Sequence, residues 1–275
     1  MSKLIRIELI KLLNYTSFKI ILGLHLLLFL LVVFVSSQID ITVPGFDTTN
    51  LFRFPHIWSY FTWIASWFNL LLAILVIMVA GNEFSYKTFR QHVIDGLSRA
   101  ELLGGKLIVI LMIALYAFLL VLLSGFVYGI IFTSGVSPGD IISGMHILFV
   151  YFLQTIAFMV TGLLIVLLLR NNALSIIIFI LLRFPVEPVI RSFFPHYMRP
   201  FFPMKSIGSL TPIPEFLSIA SDTSFETADG ANALTLSEMG LVAQTLPLWG
   251  EVLLASAYTL LFGGLALLII KRRNL

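Results

Sequence analysis

The sequence predicts an all-α polytopic membrane protein: six transmembrane helices, an amphipathic helix ahead of them, and a polar helical segment between the second and third. Composition is the first reason. Apolar residues make up 59% of the 275 residues and charged ones 11%, with a mean hydropathy of +1.03, whereas a soluble domain carries about 25% charged residues. The apolar residues also fall in continuous runs near 18–36, 58–80, 107–132, 147–169, 173–193 and 249–270. Each can cross a hydrocarbon core that takes about 20 residues of helix. Runs of this kind, without alternation, exclude a β-barrel. The third reason is the distribution of basic residues. With six crossings, Lys3, Arg6, Lys11, Lys19, Lys87, Arg90, Arg99, Lys106, Arg170, Lys271, Arg272 and Arg273, 12 of the 17 Lys and Arg, share the side of the termini. The positive-inside rule makes that side cytoplasmic, so the expected location is the cytoplasmic (inner) membrane with both termini inside.

Residues 1–16 read as a helix lying in the interface, with Lys3, Arg6, Lys11 and Asn14 on one stripe, Glu8 flanking it, and the bases near lipid headgroups. The run from Ile20 to Val35 is of membrane length and no small-residue cleavage pattern follows it, so it reads as a retained span. Trp58, Tyr60, Trp63 and Trp67 at the start of the second run suit an outer interfacial belt. The loop 133–146 is turn-rich, and Arg170-Asn171-Asn172 reads as a tight turn between the fourth and fifth spans.

The segment 82–106 differs from the rest of the chain. Glu83 to Asp95 can form a helix of about three turns, and Gly96 is a plausible stop because glycine accepts a left-handed C-terminal conformation. Ser98 and Glu101 then have capping-box spacing, so a second helix begins there and runs through Lys106 into the third span.

A glutamate after the second span (Glu83), then Thr88 and Arg90, Ser98-Arg99, an acid at Glu101, and Gly105-Lys106 at the mouth of the third span resemble the permease subunits of ABC type-2 transporters. The resemblance extends over essentially the whole chain, as one transmembrane permease domain over 1–275. Lys87 stands where that family often has glycine, and Gly96 where it often has proline. The resemblance implies that 82–106 is a coupling segment docking on a separate ABC ATPase subunit, with Glu83, Lys87, Thr88, Arg90, Ser98 and Arg99 as its contact or coupling residues. It further implies a second permease copy or a paralogue, and ATP and Mg bound by the ATPase with no cofactor in this chain. The expected activity is export across the membrane. A non-transporting scaffold or sensor, and a secondary transporter, stay open as other classes.

Several chemistries are absent from the sequence. Gly104-Gly105-Lys106 is followed by Leu107, and Ala100 stands where a phosphate-binding loop needs its first glycine, so the chain reads as non-catalytic. There is no cysteine, and His25, His56, His92, His146 and His196 are scattered, so no disulfide or metal set is expected. The bases do not gather on a soluble surface, and lipids rather than nucleic acid are the expected charged partners.

Polar residues inside spans are costly in hydrocarbon and mark candidate pathway positions. These are Asn69 in the second span, Gln154 (beside Thr155) in the fourth, and Arg183 with Glu187 in the fifth. Glu187 is one helical turn from Arg183 and can pair with it, while Pro185 and Pro188 disturb the helix there. Arg183 and Glu187 either line a polar route or sit at the outer interface. The segment 194–248 reads as extracytoplasmic, its aromatic first part lying in the headgroup region or dipping in and returning. Its second part forms a polar cap with Asp222, Glu226, Asp229 and Glu238. Glu251 reads as a solvated interfacial carboxylate or an outer gate.

Overall fold

The computed structural model describes residues 2–39, 42–43, 46–86, 88–94, 96–211 and 246–272. The expected acidic cap around Asp222–Glu238 lies outside the described residues, as does Lys87. The architecture is all-helical apart from an antiparallel pair of two-residue strands, β1 (Thr42–Val43) and β2 (Phe46–Asp47). Helices α1 (Ser2–Asn14) and α2 (Thr16–Ser37) precede it; α3 (His56–Trp67), α4 (Asn69–Ser85), α5 (Thr88–Ile94) and α6 (Arg99–Phe132) follow. Next come α7 (Pro138–Ile142), α8 (His146–Leu169), α9 (Asn172–Leu181), a π-helical turn (Leu182–Val186) and α10 (Glu187–Ser192). A 3-10 turn (His196–Phe201), α11 (Pro203–Gly208) and α12 (Leu248–Arg272) complete the chain.

Among the described residues, five stretches are long and apolar enough to cross a membrane: α2, α6, α7–α8, α9–α10 and α12. A sixth is the pair α3–α4, bent by 44°. Both described chain ends lie at one end of the bundle, because the start of α6 bonds the last turn of α12 and Lys106 on α6 bonds Glu8 on α1. The number of passes is then even, and the bent pair counts as one.

The expected second span, 58–80, is therefore not a straight helix. Thr62 donates to the Trp58 carbonyl and Ser66 to that of Trp63, a back-bonding that bends helices. At the break, Phe68 N–H bonds Ala65 O and Leu71 N–H bonds Phe68 O, tightening the turn to i→i+3 spacing. A second correction concerns 83–95. Instead of one three-turn helix, α4 runs on to Ser85 and α5 starts anew at Thr88. The Thr88 hydroxyl, 3.4 Å from the Glu83 carbonyl, takes up an acceptor at the end of α4. Gly96 adopts φ +92°, and Ser98 and Glu101 form the capping box that starts α6.

Helix α8 is the axis of the bundle: 72% of its apolar window is buried, against 17% for α2, α9–α10 and α12. It packs against α3, α4, α6, α9 and α12. Small residues make the close contacts possible, as they do generally where lipid supplies no hydrophobic drive between helices. A methyl group on Gly162 of α8 would stand 3.2 Å from the Ala73 carbonyl of α4. At the end opposite the termini, Phe52, Phe61, Tyr128 and Phe132 interlock with ring centroids 5.1–6.2 Å apart. Trp58, expected in an interfacial belt, is fully buried beside this group, its indole N–H donating to Ile141 O at 2.8 Å. Its ring lies against Gly125 of α6, where an added Cβ would come within 2.8 Å. Replacing Gly125 with Val is expected to destabilise the bundle by about 1–3 kcal/mol through overpacking. Thermal unfolding in detergent measures this; an unchanged midpoint would contradict the α3–α6 contact.

Candidate functional site

The segment expected to carry coupling lies at the end of the bundle that holds the termini, where the structure builds a buried charge cluster. Lys106, on the second turn of α6, is 2% exposed, and a buried ammonium is tolerable only when it is paired and hydrogen-bonded. Two carboxylates reach it: Glu8 Oε2 of α1 at 2.7 Å and Glu83 Oε1 of α4 at 2.6 Å. Lys11, one turn after Glu8, bridges the same two groups, 2.9 Å from Glu83 Oε1 and 3.3 Å from Glu8 Oε1. Two positive and two negative charges close on themselves and join α1, α4 and α6.

Burial pushes the Glu8 carboxyl up, but Lys106 and Lys11 outweigh it and hold it below the ordinary glutamate value. Burial likewise pushes the Lys11 ammonium down, and Glu83 and Glu8 outweigh it and hold it above its ordinary value.

Other residues of the segment are committed within the chain. Ser98 Oγ accepts from the Glu101 N–H at 3.2 Å, and Glu101 Oε2 accepts from the Ser98 N–H at 2.8 Å. Arg99 Nη1 donates to the Lys271 carbonyl at 2.6 Å, satisfying the last turn of α12. Arg90 lies on α5. Helix α5 is thus suspended between two anchored helix ends, with Thr88 tied to α4 and the capping box fixing α6. At the neighbouring turn, Arg170 (φ 54°) ends α8, Asn171 caps α9, and Asn172 donates to Asn82 Oδ1 of α4 at 2.7 Å.

The sequence had marked Glu83 but placed Glu8 on the flank of a stripe and left Lys11 to the headgroups. Glu8 is instead 4% exposed and faces the bundle. Two signals could have found the cluster. Glu8 is the one acid on a helix of mostly basic and apolar residues and has Lys11 at i+3, and Lys106 is a lone charge at the mouth of a long apolar run that needs a partner.

The four span residues marked as pathway candidates also meet, at the opposite end and around one segment. Asn69 Nδ2 donates to Gln154 Oε1 at 3.2 Å, and Thr155 donates to Asn69 Oδ1 at 3.0 Å. Gln154 Nε2 donates to the carbonyls of Ile207 (3.0 Å) and Gly208 (3.2 Å), the last two residues of α11. Glu187 accepts from the backbone N–H groups of Met204 and Lys205 at the start of α11, at 2.8 and 2.6 Å. The anticipated Arg183–Glu187 ion pair is therefore not made. The π-helical turn at Pro185 lies between them, and the Arg183 guanidinium stacks over Phe158 at 4.1 Å. Met204, Ile207 and Leu210 are buried, so this segment dips into the bundle with both backbone ends satisfied by side chains. Glu251, expected as a solvated carboxylate, is 5% exposed in the first turn of α12. Among the described residues no group of three or more His, Cys, Asp or Glu is arranged to hold a metal.

The fold and this end of the bundle are those of a multi-pass helical membrane protein with a buried charge cluster at the root of an inter-helical segment. The comparison with known families specifies it. The chain matches the ABC-2 family transporter protein family over residues 4–186, more than half its length, and belongs to that family. It is an ABC transporter permease, a membrane component that is not itself catalytic, and permeases of this kind work with an ABC ATPase. No curated protein matches the chain.

Two outcomes are expected from this geometry. The depressed Glu8 contributes stability that is present above pH 4.5, its ordinary value, and is lost as pH falls through its folded value. The raised Lys11 contributes stability that is present below pH 10.5 and is lost as pH rises through its folded value. Melting temperature should hold a plateau between those limits, and Glu8→Gln should lower the plateau and make the acidic fall shallower; equal acidic slopes would contradict the assignment. Replacing Glu187 with Ala strips a buried amide (Met204) and a half-buried one (Lys205) of their acceptor, so hydrogen exchange at both should quicken by roughly tenfold or more. Unchanged protection there would show that α11 is held by other contacts.

Proposed function

We propose that this chain is the membrane-spanning half of an ATP-driven exporter, joined through residues 83–99 to a separate ATPase that binds ATP and Mg. Closure of the ATPase pair pushes on α5. Because α5 hangs on short connections between α4 and α6, the push reaches both helices together, and Arg99 passes it to the end of α12. The suspension of α5 between two side-chain-anchored helix ends is the observation that carries this reading. The basic excess at the same end favours placing that end, with both termini, in the cytoplasm of a cell whose inner membrane holds the protein. A second copy or a paralogue completes the transmembrane unit. Glu83 and Ser98 act as anchors for the segment, while Lys87 and Arg90 present charge to the ATPase.

Affinity purification from native membranes tests the reading. The ATPase subunit should co-purify in stoichiometric amount, and Arg90→Glu should weaken its retention by about tenfold, about 1.4 kcal/mol. Normal retention together with normal transport-stimulated hydrolysis would remove Arg90 from the contact. Absence of any nucleotide-hydrolysing partner from the parent chain would remove the exporter reading itself.

A further inference from the structure

Helix α1 is built for more than anchoring. A helix that only floats at the interface keeps its charges in water, yet Glu8 is turned inward and 4% exposed. The outward face instead carries Ile10 and Leu13, 51% and 61% exposed. Room for Glu8 is made by Gly105 of α6: a Cβ there would stand 3.2 Å from Glu8 Oε1, so the carboxylate lies against nearly bare helix backbone. Burying Glu8, Glu83 and Lys106, with Lys11 half-buried beside them, adds little net stability compared with apolar packing, and the best-attested use of such groups is to set register or to act as a switch.

The cluster is also unevenly satisfied. Glu83 Oε1 receives both lysines, at 2.9 and 2.6 Å, while Glu83 Oε2 is buried without a hydrogen-bond partner. Glu83 Oε2 is thus an open acceptor to which one lysine can move if the end of α4 turns. An element with two discrete arrangements is the physical requirement for passing on a displacement.

Resting on the exporter reading above, we infer that Glu8 and Lys106 are positioning residues that lock α1 to the α4–α6 hairpin, so that α1 moves with the coupling segment. Helix α1 leads through Tyr15 straight into α2, which is loosely held, with 17% of its apolar window buried. A displacement starting at α5 thus has a second exit: through Glu83 and Lys106 into α1, and from α1 into the first span.

The chain contains no cysteine, so spin labels can be placed on Leu13→Cys of α1 and on Phe149→Cys of the central helix α8, which lies outside the locked group, 61% and 65% exposed, in the full permease–ATPase complex. Label distances are compared between the nucleotide-free complex and the complex trapped with ATP and vanadate. Glu8→Lys and Lys106→Glu, each alone, should abolish the nucleotide-dependent redistribution of distances and lower permease-stimulated ATP hydrolysis about tenfold, within the span of typical coupling energies. Both should still retain the ATPase on purification. Lys106→Arg, which keeps a positive charge between Glu8 and Glu83, should retain both readouts. Should either single reversal fail to fold, Glu8→Gln keeps the size of the side chain and should show the same loss in milder form. Unchanged coupling in the single variants or in Glu8→Gln would overturn the inference, and so would a Lys106→Arg variant that keeps its melting temperature but loses its coupling. A parent chain that retains no ATPase would instead sink the exporter reading, and this inference with it.

Discussion

The ammonium of Lys106 sets the terms for one end of this molecule. It sits at the mouth of a 34-residue helix with almost no access to water, where a charge survives only if counter-charges are brought to it. One carboxylate comes from α1 and one from α4, and Lys11 balances the pair. Once those groups are fixed, the end of α4 and the beginning of α6 are held together, and α5 lies between them with Thr88 tied to Glu83. Arg99, a short distance away along α6, then places the last turn of α12. A single buried charge thus orders four elements whose sequence positions run from Glu8 to Lys271.

The other end obeys the same logic with neutral groups. Asn69, Gln154 and Thr155 satisfy one another, and Gln154 with Glu187 also satisfies the backbone of α11. Between the two polar knots the contacts are apolar, with small residues permitting close approach. Apolar surface gains nothing by leaving lipid, so the knots and the fit of small residues, rather than hydrophobic burial, give the bundle its specific arrangement.

Much of this was legible in the sequence for plain reasons. Long apolar runs exceed any soluble helix's needs, so the helical membrane class and the number of candidate spans follow from composition alone. Gly96, Ser98 and Glu101 announced a turn and a helix start because capping is a local matter. The break at Phe68 was hidden, since back-bonding by Thr62 and Ser66 leaves no mark in an apolar pattern. The inward turn of Glu8 was hidden as well, because the space for it is created by Gly105, nearly a hundred residues away. Arg183 and Glu187 were found as a pair but assigned to each other. What separates them is the π-helical turn, and their actual partners, Phe158 and the amides of α11, are tertiary neighbours that spacing does not reveal.

The match to the ABC-2 family ends at Val186, the last residue of the π-helical turn. Helix α12 lies beyond that point, yet it packs along the central helix α8, and its final carbonyls are held by Arg99. The recognisable part of the chain is consequently not a self-sufficient folding unit. A fragment cut at the edge of the family match would leave a flank of α8 open to lipid and strand the guanidinium of Arg99 without the helix end it serves. The described residues beyond 186 are tied to the rest by geometry, α11 through Gln154 and Glu187 and α12 through Arg99.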